Sequence, residues 1–172
     1  QLNFNTNWTY LNDFHAYSTR RSPRTDYRDG NSANVGGATP IWRGSTTLTW
    51  RKQQWSGGAG FYYIARFTDL NATTTLTVWD SLGRPSYIQP IFNNGAYSYR
   101  YVIHDTKSYN VFASYRLRAQ NRWLNEMSIR VGVNNLFDAK PPLSADSRGY
   151  EPSLYNVMAR GRTYSLQIAK KL

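Results

Sequence analysis

Alternation of apolar and polar side chains at every second residue is the feature that most constrains how this chain can fold. Successive side chains of a β-strand point to opposite faces, so this period predicts strands with one apolar and one polar face. The clearest stretch spans 124–137, and its apolar row consists of Met127, Ile129, Val131 and Val133. Polar side chains occupy the alternate positions until the pattern slips at the end of the stretch.

Five further stretches show the same period, and their apolar rows span 2–14, 42–50, 55–67, 109–117 and 164–172. No stretch shows a convincing helical period. The sequence therefore predicts an all-β fold of about six strands that form an antiparallel sheet.

The predicted connections between these strands differ in length. Short turns lie at 52–54 and 118–122, whereas long loops span 17–40, 68–96 and 138–154. Long loops without structure are unusual in a compact soluble domain. Short turns on one rim and long loops on the other are typical of outer-membrane β-barrels.

Aromatic residues, 16% of the chain, are abundant for a mean hydropathy of -0.65. Those at the short-turn ends of the predicted strands are Trp50, Trp55, Tyr115 and Trp123. Those at the long-loop ends are Phe14, Trp42, Phe67, Phe137 and Tyr155. Two aromatic girdles at the membrane interfaces would account for this distribution. The alternative, that these rings pack the core of a β-sandwich, predicts no concentration at strand ends.

Composition and motifs argue against several other classes of protein. The net charge of +11 comes from 21 scattered Lys and Arg rather than from a dense basic run, so we expect no nucleic-acid partner. No apolar run approaches the roughly 18 residues of a membrane helix.

We find no nucleophile system, paired carboxylates or phosphate loop, and we expect neither an enzyme nor a bound cofactor. His15 beside Asp13 forms either a metal contact or, more simply, a hydrogen-bonded pair.

Six strands do not close an outer-membrane barrel, since the smallest bacterial barrels have about eight. An open sheet in lipid would leave unsatisfied backbone groups at both edges. We therefore expect another polypeptide, or an N-terminal part of the same one, to supply the remaining strands.

Two motifs near the end of the chain resemble those of a known family. The first consists of Asn134, Asn135, Leu136, Phe137, Asp138, Pro141 and Pro142. The second consists of Gly161, Arg162 and Tyr164. In this order they resemble the last strands of TonB-dependent outer-membrane receptors. Upstream, a strand pair found well before the end of those receptors is resembled by Pro40, Arg43-Gly44-Ser45, Thr49-Trp50 and Trp55-Ser56, so that the resemblance covers the final two-thirds of the chain. One departure is the end of the chain, where Lys170-Lys171-Leu172 stands in place of the usual terminal aromatic residue.

The resemblance implies a transmembrane barrel of about 22 strands, of which residues 1–172 form the C-terminal part, without the plug domain. It implies a multi-pass protein of the bacterial outer membrane, with extracellular long loops and a periplasmic C-terminus. Its partners would be the bilayer, lipopolysaccharide, the rest of the barrel with its plug, and TonB, which would be contacted through the N-terminal part. The imported nutrient would be a siderophore, haem, cobalamin or saccharide.

Long loops that capture such a ligand would use rings for stacking and guanidinium groups for pairing with anions. The candidate residues are Arg84, Tyr87, Arg148 and Tyr150, each of which could equally be an ordinary solvated loop residue. Two alternatives for the whole chain stay open. One is a passive porin-like channel, and the other is a soluble β-sandwich that binds carbohydrate.

Overall fold

The computed structural model describes residues 1–17, 20–21, 24–32, 36–93, 95–121, 123–144 and 148–170. The strands in these ranges are β1 (Leu2–Tyr10), β2 (His15–Ala16), β3 (Thr25–Asp26), β4 (Gly30–Ser32), β5 (Gly37–Thr39), β6 (Trp42–Lys52), β7 (Trp55–Ile64), β8 (Phe67–Thr74), β9 (Ile88–Asn93), β10 (Ala96–Ile103), β11 (Thr106–Arg116), β12 (Met127–Asn134) and β13 (Thr163–Lys170). The helices are α1 (Leu76–Ser81), α2 (Pro152–Tyr155) and a 3₁₀ helix at Met158–Arg160. None of these helices is long and apolar enough to cross a membrane.

The six predicted strands form one antiparallel sheet, here called the large sheet, in the order β1-β6-β7-β11-β12-β13. Neighbours in this sheet are also consecutive among the six in the chain. Gln53 and Gln54 alone join β6 to β7, and the backbone of Gln53 takes a positive φ of 55° in that turn. The all-β fold and the six strands of an antiparallel sheet are therefore confirmed.

The register of the large sheet brings all six apolar rows to one face. Val131 pairs with Ala113 on one side and with Leu166 on the other. Phe61 pairs in the same way with Thr46 and Tyr109. Directly paired residues share a face, so the apolar rows merge into one surface, here called the apolar face. The opposite surface, here called the polar face, carries mainly Asn, Ser, Thr, Arg and Gly.

Large side chains of the apolar face are exposed. Leu166 is 67% exposed, Phe4 64% and Ile168 61%. The fully buried hydrophobic residues of the described chain are Phe67, Ile88, Ile103 and Tyr155, with Tyr27 close behind, and none of them belongs to the large sheet. The compact core therefore lies outside the large sheet.

That core lies in the long connections, which contain more structure than predicted. A second sheet has the order β5-β4-β8-β10-β9, and β8 and β10 continue the β7–β11 hairpin past breaks at residues 65–66 and 104–105. The prediction of an unstructured loop over 68–96 is wrong.

The expectation of no helix is also wrong, because α1 and α2 are too short to show a helical period in the sequence. A side chain caps the N-terminus of each helix: Thr75 accepts a hydrogen bond from Val78 N in α1, and Glu151 accepts one from Ser153 N in α2.

Phe67 and Tyr155 do not belong to an aromatic girdle, which corrects two of the predicted positions. Both rings are fully buried and stack on each other with centroids 6.4 Å apart. Ile64 of the polar face packs against the same core, although it is three residues from Phe67. In an uninterrupted strand, residues three positions apart point to opposite faces. The break at residues 65–66 shifts this alternation by one residue, so Phe67 points to the same side as Ile64 and away from the apolar face.

Alkaline pH is expected to weaken this core through Tyr155. Burial raises the pKa of Tyr155 to about 12, and its hydroxyl lies near Thr106 Oγ1 without a hydrogen bond of ordinary geometry. An unfolded Tyr titrates near pH 10, so the stabilisation is fully present below about pH 10 and is lost as the pH rises through about 12.

Tyr155→Phe should therefore be at least as stable as the wild type at pH 8 and clearly more stable at pH 11. Urea unfolding midpoints of both proteins at the two pH values measure the difference. Other tyrosines ionise in both proteins and cancel in this comparison. An equal loss of stability in wild type and variant between pH 8 and pH 11 would contradict the assignment.

Candidate functional site

A cavity of about 650 Å³ lies against the polar face at its long-loop end. Its floor includes one row of paired side chains across four strands, namely Asn7, Ser45, Tyr62 and Ser108. Its roof comes from the segment that contains α2 and the 3₁₀ helix, through Leu154, Val157, Met158 and Arg160. The volume falls within the range of about 300–1,000 Å³ that is usual for small-molecule sites.

The roof is held in place by contacts outside the cavity. Tyr155 anchors α2 in the buried core. Gly37 of β5 lies so close to α2 that an added Cβ would come within 2.7 Å of Ser153 Oγ. Glu151 is 5% exposed and caps α2 through Ser153 N. The roof is therefore part of the folded structure rather than a loose loop.

Two guanidinium groups give the cavity its charge. Arg43 lies at the long-loop end of β6, and Arg160 lies in the 3₁₀ helix of the roof. Neither makes an ion pair or side-chain hydrogen bond with another described residue, and no Asp or Glu lines the cavity. Other arginines of the long connections are neutralised: Arg24 by Asp13, Arg28 by Asp26 and Arg84 by Asp80. The cavity is thus a site of uncompensated positive charge.

The residues of the first predicted family motif form a tight corner at the rim of the same cavity. Asn134 ends β12, lines the cavity and donates from Nδ2 to Thr163 Oγ1 at 3.3 Å. Asn135 is 6% exposed and takes a left-handed φ of 52°. Its side chain accepts from Ala139 N and donates to Ala139 O, both at 2.9 Å. This clamp reverses the chain directly after β12.

Asp138 joins the two motifs across 24 residues of sequence. Its Oδ1 accepts from Arg162 N at 2.9 Å, and its Oδ2 accepts from Lys140 Nζ at 2.9 Å. Both hydrogen bonds hold the pKa of Asp138 below its usual value, and the bond from Lys140 has the larger effect. The Asn135 side chain thus closes the turn after β12, and the Asp138 carboxylate holds the start of the second motif against that turn.

Of the remaining motif residues, only Gly161 lines the cavity. Leu136 N donates to Tyr109 O at 2.7 Å, and the exposed Phe137 ring meets the Tyr109 ring edge-on at 5.3 Å. Pro141 and Pro142 lie in an irregular stretch, where no strand ladder continues. Gly161 takes a φ of 72° beside Asp138 Oδ1, and Tyr164 is exposed on the apolar face of β13.

The four loop residues predicted to contact a ligand lie elsewhere, and none of them lines the cavity. Arg84 pairs with Asp80 at 2.6 Å, and its guanidinium lies 5.3 Å from the centroid of the Trp79 ring. Tyr87 stacks on Tyr101, Arg148 is exposed in a turn, and Tyr150 packs against the buried core. The structure therefore does not bring these four residues together.

His15 forms a local polar network rather than a ligand set. It contacts Asp13 through Nδ1, and Arg24 Nη2 lies 2.8 Å from the same nitrogen. Among the residues that the structure describes, no group of three or more His, Cys, Asp or Glu is placed to hold a metal ion.

Sequence reasoning missed Arg43, Tyr62 and Arg160 as site residues. Arg43 and Tyr62 could have been found, because both have polar-face parity and lie at the long-loop ends of β6 and β7. Arg160 could not, because its position depends on the fold of the roof.

In comparisons with known proteins, no family model, curated protein or solved structure matches this chain.

Asn135→Ala tests the rim corner. The variant loses two side-chain hydrogen bonds, leaves Ala139 N without its partner and places Ala in a left-handed conformation. We expect a loss of about 1–3 kcal/mol in the free energy of unfolding, measured by urea titration. Leu143→Ala is the matched control, since Leu143 is 86% exposed in the same connection and should change little. Equal stability of the two variants would show that the clamp does not hold the corner.

Proposed function

We propose that this chain forms part of the wall of a transmembrane β-barrel in the bacterial outer membrane. The observation that carries the proposal is the continuous, exposed apolar face of six antiparallel strands. Each apolar Å² left in water costs roughly 25 cal/mol, so such a surface favours contact with lipid. The polar face would then line the lumen, as in other barrels.

Aromatic residues at both ends of the apolar face support this orientation. At the short-turn end, the Trp55 and Tyr115 rings lie 4.7 Å apart, and Lys170 Nζ lies 4.7 Å from the Trp123 ring. At the long-loop end, the Tyr10 and Trp42 rings lie 4.7 Å apart. Aliphatic side chains such as Leu48, Val111 and Leu166 fill the middle. This sequence of aromatic, aliphatic and aromatic zones matches the girdles and apolar band of outer-membrane barrels.

The height of the aliphatic zone also fits a membrane. Trp42 and Trp50 lie at opposite ends of β6, eight positions apart, which is about 26 Å along the strand. With a usual tilt of about 40°, the vertical distance is about 20 Å, close to the band of about 25 Å in outer-membrane barrels.

Within this class, we infer an active receptor that imports a scarce nutrient with energy delivered through TonB. The resemblance of the rim corner to the last strands of TonB-dependent receptors supports this inference. So does the cavity, which lies on the polar face under a folded roof at the long-loop end. In such a receptor this end faces the cell surface, where the nutrient would be captured.

Leu166→Arg tests whether the apolar face meets lipid. In the middle of a bilayer the new charge should cost about 2–4 kcal/mol of folding free energy. In water the same change should be nearly neutral, because Leu166 is 67% exposed. Gln167→Arg is the matched control, since it places the charge one residue away on the polar face. Urea titration of the full-length protein in lipid vesicles measures both, and equal stability of the two variants would refute a lipid-facing Leu166.

Energy coupling is tested separately. The full-length protein, purified from outer membranes, is expected to bind the periplasmic domain of TonB in a pull-down experiment. Binding would distinguish an active receptor from a passive porin-like channel, which shares the barrel and its girdles. A full-length protein that lies in the outer membrane but does not bind TonB would support the passive channel.

A further inference from the structure

The charged residues within the six strands of the large sheet are all basic, and its arginines lie on the polar face. Its six strands contain no Asp or Glu, yet they carry four arginines of polar-face parity: Arg43, Arg51, Arg116 and Arg130. Of these four, Arg116 pairs with Glu126, which lies just before β12. The basic residues of apolar-face parity are Lys52, Lys107 and Lys170, which lie at or near strand ends. An excess of positive charge on the polar face produces a positive potential that attracts anions and repels cations.

The cavity concentrates this potential at the long-loop end. Arg43 and Arg160 line it from opposite sides, one from the floor and one from the roof. Their guanidinium groups have no partner among the described residues, whereas Arg28 forms several hydrogen bonds with Asp26. A guanidinium fork that is free in a cavity matches a carboxylate, sulfate or phosphate group.

The remaining polar lining is uncharged. Amides come from Asn7, Asn110 and Asn134, and hydroxyls come from Ser45 and Ser108. Amides and hydroxyls both donate and accept hydrogen bonds, as the hydroxyl groups of a sugar do. Tyr62, which is 43% exposed, adds an aromatic surface in the same row. The cavity thus offers a ligand positive charge, hydrogen-bonding groups and an aromatic ring for stacking.

We propose that the cavity binds an acidic oligosaccharide, with Arg43 and Arg160 pairing with its acidic groups and the Asn and Ser side chains bonding to its hydroxyls. This inference rests on the proposed function, in which the polar face lines the lumen of a receptor. A neutral saccharide would leave both guanidinium groups unpaired, and a cationic ligand would find no carboxylate in the lining. The cavity therefore discriminates by charge.

Binding to a glycan panel tests the inference. The full-length receptor in detergent is titrated with uronate, sialylated and sulfated oligosaccharides, each beside a neutral oligosaccharide of the same length. At least one acidic member is expected to bind at least tenfold more tightly than its neutral partner, with an affinity that falls as salt is raised. Arg43→Gln combined with Arg160→Gln should weaken that binding at least tenfold. Arg84→Gln, which removes a neutralised arginine outside the cavity, should leave it unchanged.

Two outcomes would overturn the inference: no acidic member preferred over its neutral partner, or binding that survives the double substitution. These failures are distinguishable from failure of the proposed function, because the Leu166→Arg and Gln167→Arg comparison reports on the membrane wall independently. A lipid-facing Leu166 with no preference for acidic glycans would leave the receptor proposal intact and remove only the ligand class.

Discussion

The backbone hydrogen bonds of the large sheet determine which side chains share a face. In the register observed, Phe61 lies between Thr46 and Tyr109, and Val131 lies between Ala113 and Leu166. A slip of one residue in any pair would turn a whole apolar row to the polar face. The exposed apolar surface, the polar surface behind it and the cavity at one end all follow from this register.

A division of chemistry between the two faces links the fold to the proposed function. The apolar face carries aliphatic side chains between two aromatic zones, and its lysines lie near strand ends, where long side chains reach water. The polar face carries arginines without acidic neighbours in the same strands. Its long-loop end is covered by α2 and the 3₁₀ helix, which are anchored through Tyr155 in a separate core. A wall that contacts lipid on one side and a polar solute on the other needs such a division.

The large sheet could be predicted from the sequence because its alternation persists over eight or more residues in each strand. The second sheet could not, since the breaks at residues 65–66 and 104–105 shift the alternation and its hairpins contain short elements. Phe67 illustrates the failure: its parity places it on the apolar face, but the break buries it against Tyr155. In the cavity, parity alone would have selected Arg43 and Tyr62, whereas Arg160 depends on tertiary packing that no local pattern encodes.

The most direct test of a lipid-facing sheet is a nitroxide scan along β12 of the full-length protein in lipid vesicles. Because residues 1–172 contain no cysteine, a nitroxide placed at one position from 127 to 134 at a time is the only label in this part of the protein. Collision with oxygen, which concentrates in lipid, should peak at the odd-numbered positions. Collision with a water-soluble nickel chelate should peak at the even-numbered positions. Nickel accessibility at both sets of positions would contradict the membrane wall, because water would then reach the apolar face.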